Sequence, residues 1–64
     1  YLRDVVRVLA AAEGVDGERQ RVIFWYMNEP LQDFEYLTPD VLVRMGKAQG
    51  AVDYLESIAG GATG

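Results

Sequence analysis

The chain has 64 residues, a formal net charge of −4, and neither cysteine nor histidine. Chains this short bury a small core and commonly add disulfides, a metal or a partner subunit. Without cysteine and histidine, disulfides, thiolate metal sites and the commonest nitrogen ligand of transition metals are excluded. Association with another chain is the remaining route to extra stability.

The first two predicted elements are helices. Residues 1 to 13 indicate an amphipathic helix, because apolar side chains recur at three- and four-residue spacing. These side chains are Leu2, Val5, Val6, Leu9 and Ala12. Gly14 is expected to end this helix in a left-handed conformation. Asp16 is predicted to cap a second helix, which should stop near Asn28 ahead of Pro30. Because the second helix is apolar nearly all round, it is predicted to be the most buried element.

The rest of the chain predicts an apolar connector and two further helices. Residues 29 to 37 carry leucine and aromatic side chains that are expected to fold back onto the core. Thr38 followed by Pro39 predicts the start of a short helix, which Gly46 is expected to end. Residues 47 to 59 then show an amphipathic pattern that is typical of a last helix.

These elements predict an all-α fold, a small bundle of about four short helices in one domain spanning residues 1–64. Gly60 and Gly61 are expected to stop the last helix, leaving residues 61 to 64 as a flexible tail. Because the chain opens at Tyr1 without an initiator methionine, we interpret it as a fragment of a longer polypeptide.

The residue types argue against catalysis, so we predict that the chain is not an enzyme. The usual general base and the most reactive nucleophile are absent, and nothing is placed to activate the single serine, Ser57, or the single lysine, Lys47. Paired carboxylates would need a cleft, which a chain this short does not easily form. No cofactor or metal is predicted, since the acids near Asp33 lack the ligand pattern of a calcium loop.

Charge and hydropathy restrict the partners. The basic residues are scattered among acids, which argues against direct nucleic-acid binding by this chain. The longest unbroken apolar run, Val22 to Met27, is too short to cross a bilayer, and the residues before it do not predict a signal peptide. We therefore expect a cytoplasmic location and a protein partner, with no membrane association.

Two patterns have competing interpretations. Trp25 and Tyr26 are favoured as core residues over the lining of a ligand pocket, because they lie in the most apolar helix. Gly46 and Gly50 have the spacing of a small-xxx-small motif. Outside an apolar membrane span, this spacing is favoured as a helix cap with a close backbone contact.

A series of motifs extends from Phe24 to the end of the chain. A tryptophan precedes an asparagine and a proline, and an apolar connector, a proline-started helix, two glycines and an amphipathic helix follow. The motif residues are Trp25, Asn28, Pro30, Pro39, Leu42, Gly46 and Gly50. The series resembles the C-terminal toxin-binding domain of Xre/MbcA/ParS-type antitoxins. Met27 stands where leucine is more usual, and the connector is acidic where the family more often has glycine and arginine.

The resemblance implies a non-catalytic domain that binds and neutralises a RES-type, NAD-consuming toxin. It implies that nucleic acid is bound only through a missing N-terminal domain and that the motif residues position the last helix. The partner-binding residues are predicted on or beside the polar face of that helix and after it. They are Lys47, Tyr54, Glu56, Ala59, Gly60 and Gly61. The alternative, without a toxin, is a self-association domain of a bacterial transcription regulator that forms a homodimer.

Overall fold

The computed structural model describes residues 1–61, which form four α-helices and a short 3-10 helix at Gln32–Phe34. The α-helices are α1 (Leu2–Glu13), α2 (Arg19–Asn28), α3 (Pro39–Arg44) and α4 (Ala48–Gly61). The predicted all-α helical bundle is confirmed.

The four helices pack around one core. Helix α1 lies against α2, α3 and α4, while α3 lies between α2 and α4 and contacts both. Within the described residues the backbones of α2 and α4 do not come close to each other. The buried core side chains come from all four helices and from the connector. They are Val8, Ala12, Val22, Tyr26, Leu31, Leu42, Val43, Ala48, Ala51, Val52 and Leu55.

The prediction that the second helix is the most buried element is wrong. Within α2 (Arg19–Asn28), the buried residues are Val22 and Tyr26, whereas Ile23, Phe24 and Met27 are 49%, 69% and 51% exposed. The helix packs on α1 and α3, so only the side that faces these two neighbours is covered. Apolar composition alone did not indicate how many neighbours the helix has.

The buried face of α1 also differs from the predicted stripe. Leu2 and Val6 belong to that stripe but are 76% and 64% exposed. Val8, which lies outside the predicted stripe, is fully buried beside Ala12. Val5 packs against the core from one side. The covered face is therefore rotated toward Val8, because α1 must face α4 as well as α2.

The turn between α1 and α2 corrects two predicted caps. Gly14 is right-handed, with φ −70°, and not left-handed. The chain needs no left-handed residue there, because the N–H groups of Val15 and Asp16 both donate to the Ala12 carbonyl. Glu18, and not Asp16, caps α2, since its carboxylate accepts the second N–H of the helix. Asp16 instead accepts the backbone N–H of Glu18 and so shapes the turn before the helix.

The connector from Glu29 to Thr38 folds back onto the core, as predicted. Leu31 is buried, and its N–H donates to the carbonyl of Leu37 at 3.0 Å. Phe34 packs against the core, whereas Tyr36 is exposed. The reversal between them uses left-handed backbone at Glu35 (φ 59°) and Tyr36 (φ 65°).

Helix α3 begins and ends as predicted. The Thr38 hydroxyl accepts the N–H of Val41 at 3.4 Å, and Pro39 occupies the first turn. After α3, Gly46 has a φ of +79°, a conformation in which side chains other than glycine are strained. This glycine therefore permits the sharp turn into α4.

The end of α4 differs from the prediction. Gly60 and Gly61 do not stop the helix, which continues to Gly61. Glycine lowers helix stability by about 1 kcal/mol relative to alanine, but unlike proline it keeps its N–H donor and does not block the helix. Residues 62–64, the rest of the predicted tail, lie outside the described residues.

Replacing Leu42 by alanine should unfold much of the protein. Leu42 is 1% exposed, and a buried Leu→Ala change costs about 2–5 kcal/mol. A chain of this size has only about 3–5 kcal/mol of stability from its core. Urea denaturation followed by circular dichroism should therefore show a much lower midpoint or no transition. The matched change Leu2→Ala, at an exposed position, should shift the free energy of unfolding by less than about 0.5 kcal/mol. Similar losses in both variants would contradict the assigned core.

Candidate functional site

An open apolar groove of about 200 Å³ lies where α1 ends, α2 begins and α4 approaches its C-terminus. Most of its lining side chains are apolar, and one ion pair is present among them. The lining residues are Ala12, Val15, Asp16, Arg21, Val22, Trp25, Tyr54, Leu55 and Ile58. We call this feature the groove.

The groove exists because α3 is too short to fill the space between α2 and α4. Helix α3 has 6 residues and α4 has 14. At 1.5 Å per residue these lengths correspond to about 9 Å and about 21 Å. The turn at Gly46 joins the end of α3 to the start of α4, so α3 lies along the first half of α4. Beyond Tyr54, α4 has no helix on this side within the described residues.

An aromatic contact lies beside the groove at Tyr54. The half-buried ring of Tyr54 meets the Phe34 ring edge to face, with 5.9 Å between centroids and 83° between planes. The Phe34 ring also lies 3.4 Å from the position that a Cβ atom on Gly50 would occupy. The predicted close contact at Gly50 is thus made by a side-chain ring and not by backbone. Gly50 leaves room for Phe34, which in turn supports Tyr54.

The structure separates the two adjacent aromatic residues of α2. Tyr26 is buried in the core, as predicted, and its hydroxyl has no hydrogen-bond partner in the described part of the chain. Burial, and to a smaller extent the charge of Asp40, raises the pKa of the Tyr26 phenol. Trp25 packs against the edge of the core and lines the groove. Trp25 therefore lines an open groove, as in the less favoured interpretation, whereas Tyr26 is a core residue.

An ion pair between Asp16 and Arg21 forms the polar part of the lining. The Arg21 Nε donates to Asp16 Oδ2 at 2.8 Å, and its Nη2 donates to Oδ1 at 3.0 Å. These bonds, and the backbone N–H of Glu18, lower the pKa of Asp16 from 3.8 to about 2. The same pairing raises the pKa of Arg21. Both groups are therefore charged at neutral pH and neutralise each other.

The predicted partner-binding residues lie at both ends of α4. Lys47 is exposed immediately before the helix, whereas Ala59, Gly60 and Gly61 lie in its last turn. The rise of an α-helix places these two groups about 20 Å apart. One small contact cannot include both.

The two predicted residues in the middle of α4 lie on opposite flanks. Tyr54 and Glu56 are two positions apart, which at 3.6 residues per turn is about 200° around the helix. Tyr54 lines the groove and Glu56 is exposed away from it. The structure brings Tyr54 together with Ile58, which the sequence analysis assigned to the core stripe. The amphipathic pattern of α4 gave no signal for the exposure of Ile58, because it does not show how far the neighbouring helices extend along α4.

A second apolar surface lies on α2. Ile23, Phe24 and Met27 are all exposed and lie at neighbouring positions around the helix. We call these three residues the α2 outer face. It is separate from the groove, since none of the three is among the residues that line it.

Acidic residues are concentrated on α4 and in the connector. Helix α4 contains Asp53 and Glu56 but no lysine or arginine, and residues 29 to 37 contain three acids and no base. The contact of Phe34 with Tyr54 brings the connector next to the groove. Asp33 and Glu35, on either side of Phe34, therefore add negative charge on this side.

The described residues contain no group of acidic side chains that is arranged to hold a metal ion. Across residues 1–61, every helix is too short or too polar to span a membrane.

Comparisons of this chain with protein-family models, with curated proteins and with solved structures found no match.

Replacing Arg21 by glutamine should raise the pKa of Asp16 from about 2 toward its ordinary value of 3.8. Because the pKa is lowered in the folded state, the pair stabilises the fold above about pH 4, and this contribution is lost as the pH falls toward 2. A carboxyl-detected NMR titration of both proteins measures the shift. Arg19→Gln is the control, since Arg19 pairs weakly with Glu13 at 3.9 Å. An Asp16 titration that Arg21→Gln leaves unchanged would contradict the assigned pair.

Proposed function

We propose that this chain is a non-catalytic protein-binding domain that contacts its partner through the groove and the C-terminal half of α4. The observation that carries this proposal is the open apolar groove. Trp25, Tyr54 and Ile58 contribute its large side chains, and Ile58 is 45% exposed. Aromatic and apolar side chains beside a polar rim are typical of the centre of a protein interface.

The polar groups of the groove support binding over catalysis. Asp16, with a pKa of about 2, is a weak base, and Arg21 beside it stays protonated. Neither group is suited to exchange protons near neutral pH. The chain has no histidine or cysteine to supply another acid, base or nucleophile.

The resemblance to Xre/MbcA/ParS-type antitoxins suggests the class of partner, a RES-type toxin that consumes NAD. The motif residues support this proposal through their positions. The Asn28 side chain donates to the Phe24 carbonyl at the end of α2, while Pro39 and Leu42 of α3 are almost fully buried. Pro39 and Leu42 belong to α3, which packs against α4, and the resemblance implies that the motif residues position that last helix.

The first test is recovery of the partner. The natural polypeptide that contains this chain should be tagged and expressed in its native host, and the proteins that co-purify should be identified by mass spectrometry. We expect a RES-type protein in near-equal amount, whose NAD consumption stops when this chain is added. Tyr54→Ala should weaken binding at least about ten-fold, because truncating a central aromatic residue commonly costs 2 kcal/mol or more. Circular dichroism should verify that this variant remains folded.

The matched control for that test is Tyr36→Ala, at an exposed tyrosine outside the groove. It should bind the partner as tightly as the unmodified chain does. Recovery of no RES-type protein, together with a toxin activity that this chain leaves unchanged, would contradict the toxin-binding function.

The α2 outer face favours a second candidate function, self-association within a bacterial transcription regulator. Two copies that buried Phe24, which is 69% exposed, would form a symmetric dimer. The negative charge of −4 on each copy opposes such pairing. For a toxin-binding domain we therefore expect a monomer by analytical ultracentrifugation at high micromolar concentration. A dimer that Phe24→Gln dissociates, and that Val6→Gln on α1 leaves intact, would favour self-association instead.

A further inference from the structure

We propose that the groove receives a single amphipathic helix of the partner, with basic residues along its flanks, in the position that α3 leaves open beside α4. This inference rests on the proposed protein-binding function and adds the chemistry and shape of the bound segment.

The shape of the open position favours a helix. Helix α3 lies between α2 and α4 over only part of the length of α4, which leaves about 12 Å, or about two turns, without a neighbour. At that level α2 contributes Trp25 and α4 contributes Ile58, with Val22 and Leu55 beneath them. A helix placed there would complete the fourth corner of the bundle and bury an apolar stripe at three- and four-residue spacing.

The size of the groove argues against a small-molecule ligand. Its volume of about 200 Å³ is below the range of about 300–1,000 Å³ that is usual for such ligands. It is open along one side, and Ile58 near the C-terminus of α4 belongs to its lining. An open groove between two helices suits the side chains of a helix whose backbone remains outside.

The charges beside the groove favour basic flanks on that helix. Asp33 and Glu35 lie on either side of Phe34, whose ring contacts Tyr54 in the lining of the groove, and the chain carries a net charge of −4. Arg21, the cation of the lining, is already neutralised by Asp16. Lysine or arginine on the flanks of the partner helix would meet these acids, whereas a second copy of this acidic chain would be repelled.

Three synthetic peptides test the proposal with the unmodified chain. All three carry leucine and isoleucine at three- and four-residue spacing. The first has lysine flanks, the second has glutamate flanks, and the third is the lysine peptide with a central proline. The fluorescence of Trp25, the single tryptophan of the chain, reports burial of the groove, and NMR chemical shifts locate the contact. We expect the lysine peptide to bind and shift Trp25 emission to the blue, with at least ten-fold weaker binding of the other two.

Two matched variants locate the binding site. Ile58→Gln removes apolar surface from the groove without changing charge, and Ile23→Gln makes the same change on the α2 outer face. The two isoleucines are 45% and 49% exposed, so their substitution should affect the fold similarly. Ile58→Gln should weaken binding of the lysine peptide at least ten-fold, and Ile23→Gln should leave it unchanged.

Several results would overturn the proposal. These are no binding by the lysine peptide, equal binding by all three peptides, or loss of binding in Ile23→Gln instead of Ile58→Gln. A natural partner that binds Ile58→Gln as tightly as the unmodified chain would also overturn it, while leaving the protein-binding function intact. Conversely, groove binding by the lysine peptide with no RES-type protein recovered from the host would retain this proposal and reject the toxin.

Discussion

The backbones of α2 and α4 do not come close to each other, so the bundle depends on the two helices that contact both of them, α1 and the short helix α3. Its side chains Leu42 and Val43 lie almost completely within the core, and Pro39 is buried at its start. The short length of the same helix leaves the corner beyond Tyr54 uncovered. Helix α3 therefore contacts α2 and α4 at one end of the bundle, and its short length leaves the groove open at the other. Core packing and the open groove both depend on this six-residue helix.

The features that sequence predicted best are those decided by neighbouring residues. Thr38 and Pro39 start α3 through a side-chain cap and a fixed backbone angle, and Gly46 has a positive φ after the helix ends. These few residues therefore suffice to predict where α3 begins and ends. The burial of α2 is a different kind of property. Ile23 and Val22 are both β-branched and adjacent, yet one is exposed and the other buried, because only the packing of α1 and α3 distinguishes them.

The candidate site was predictable only in part, because it also depends on which helices pack against each other. Tyr54 was selected as an aromatic residue outside the apolar stripe of α4, and the structure places it in the groove. Ile58 was assigned to the core, because the amphipathic pattern of α4 does not reveal how far its neighbouring helices extend along it. The Asp16–Arg21 pair joins the turn before α2 to the helix itself. The sequence pattern instead predicted that Asp16 caps α2. The groove is made by contacts and lengths that are distant in sequence.

Gly50 influences the groove indirectly, because it leaves room for the Phe34 ring that packs against Tyr54. A methyl group at position 50 would meet that ring at 3.4 Å, an ordinary van der Waals distance, and a longer side chain extending toward Phe34 would crowd it. Substitution at position 50 could thus change the shape of the groove without changing any residue that lines it. For a groove that binds a partner, such a change would alter specificity at a position that the partner does not touch.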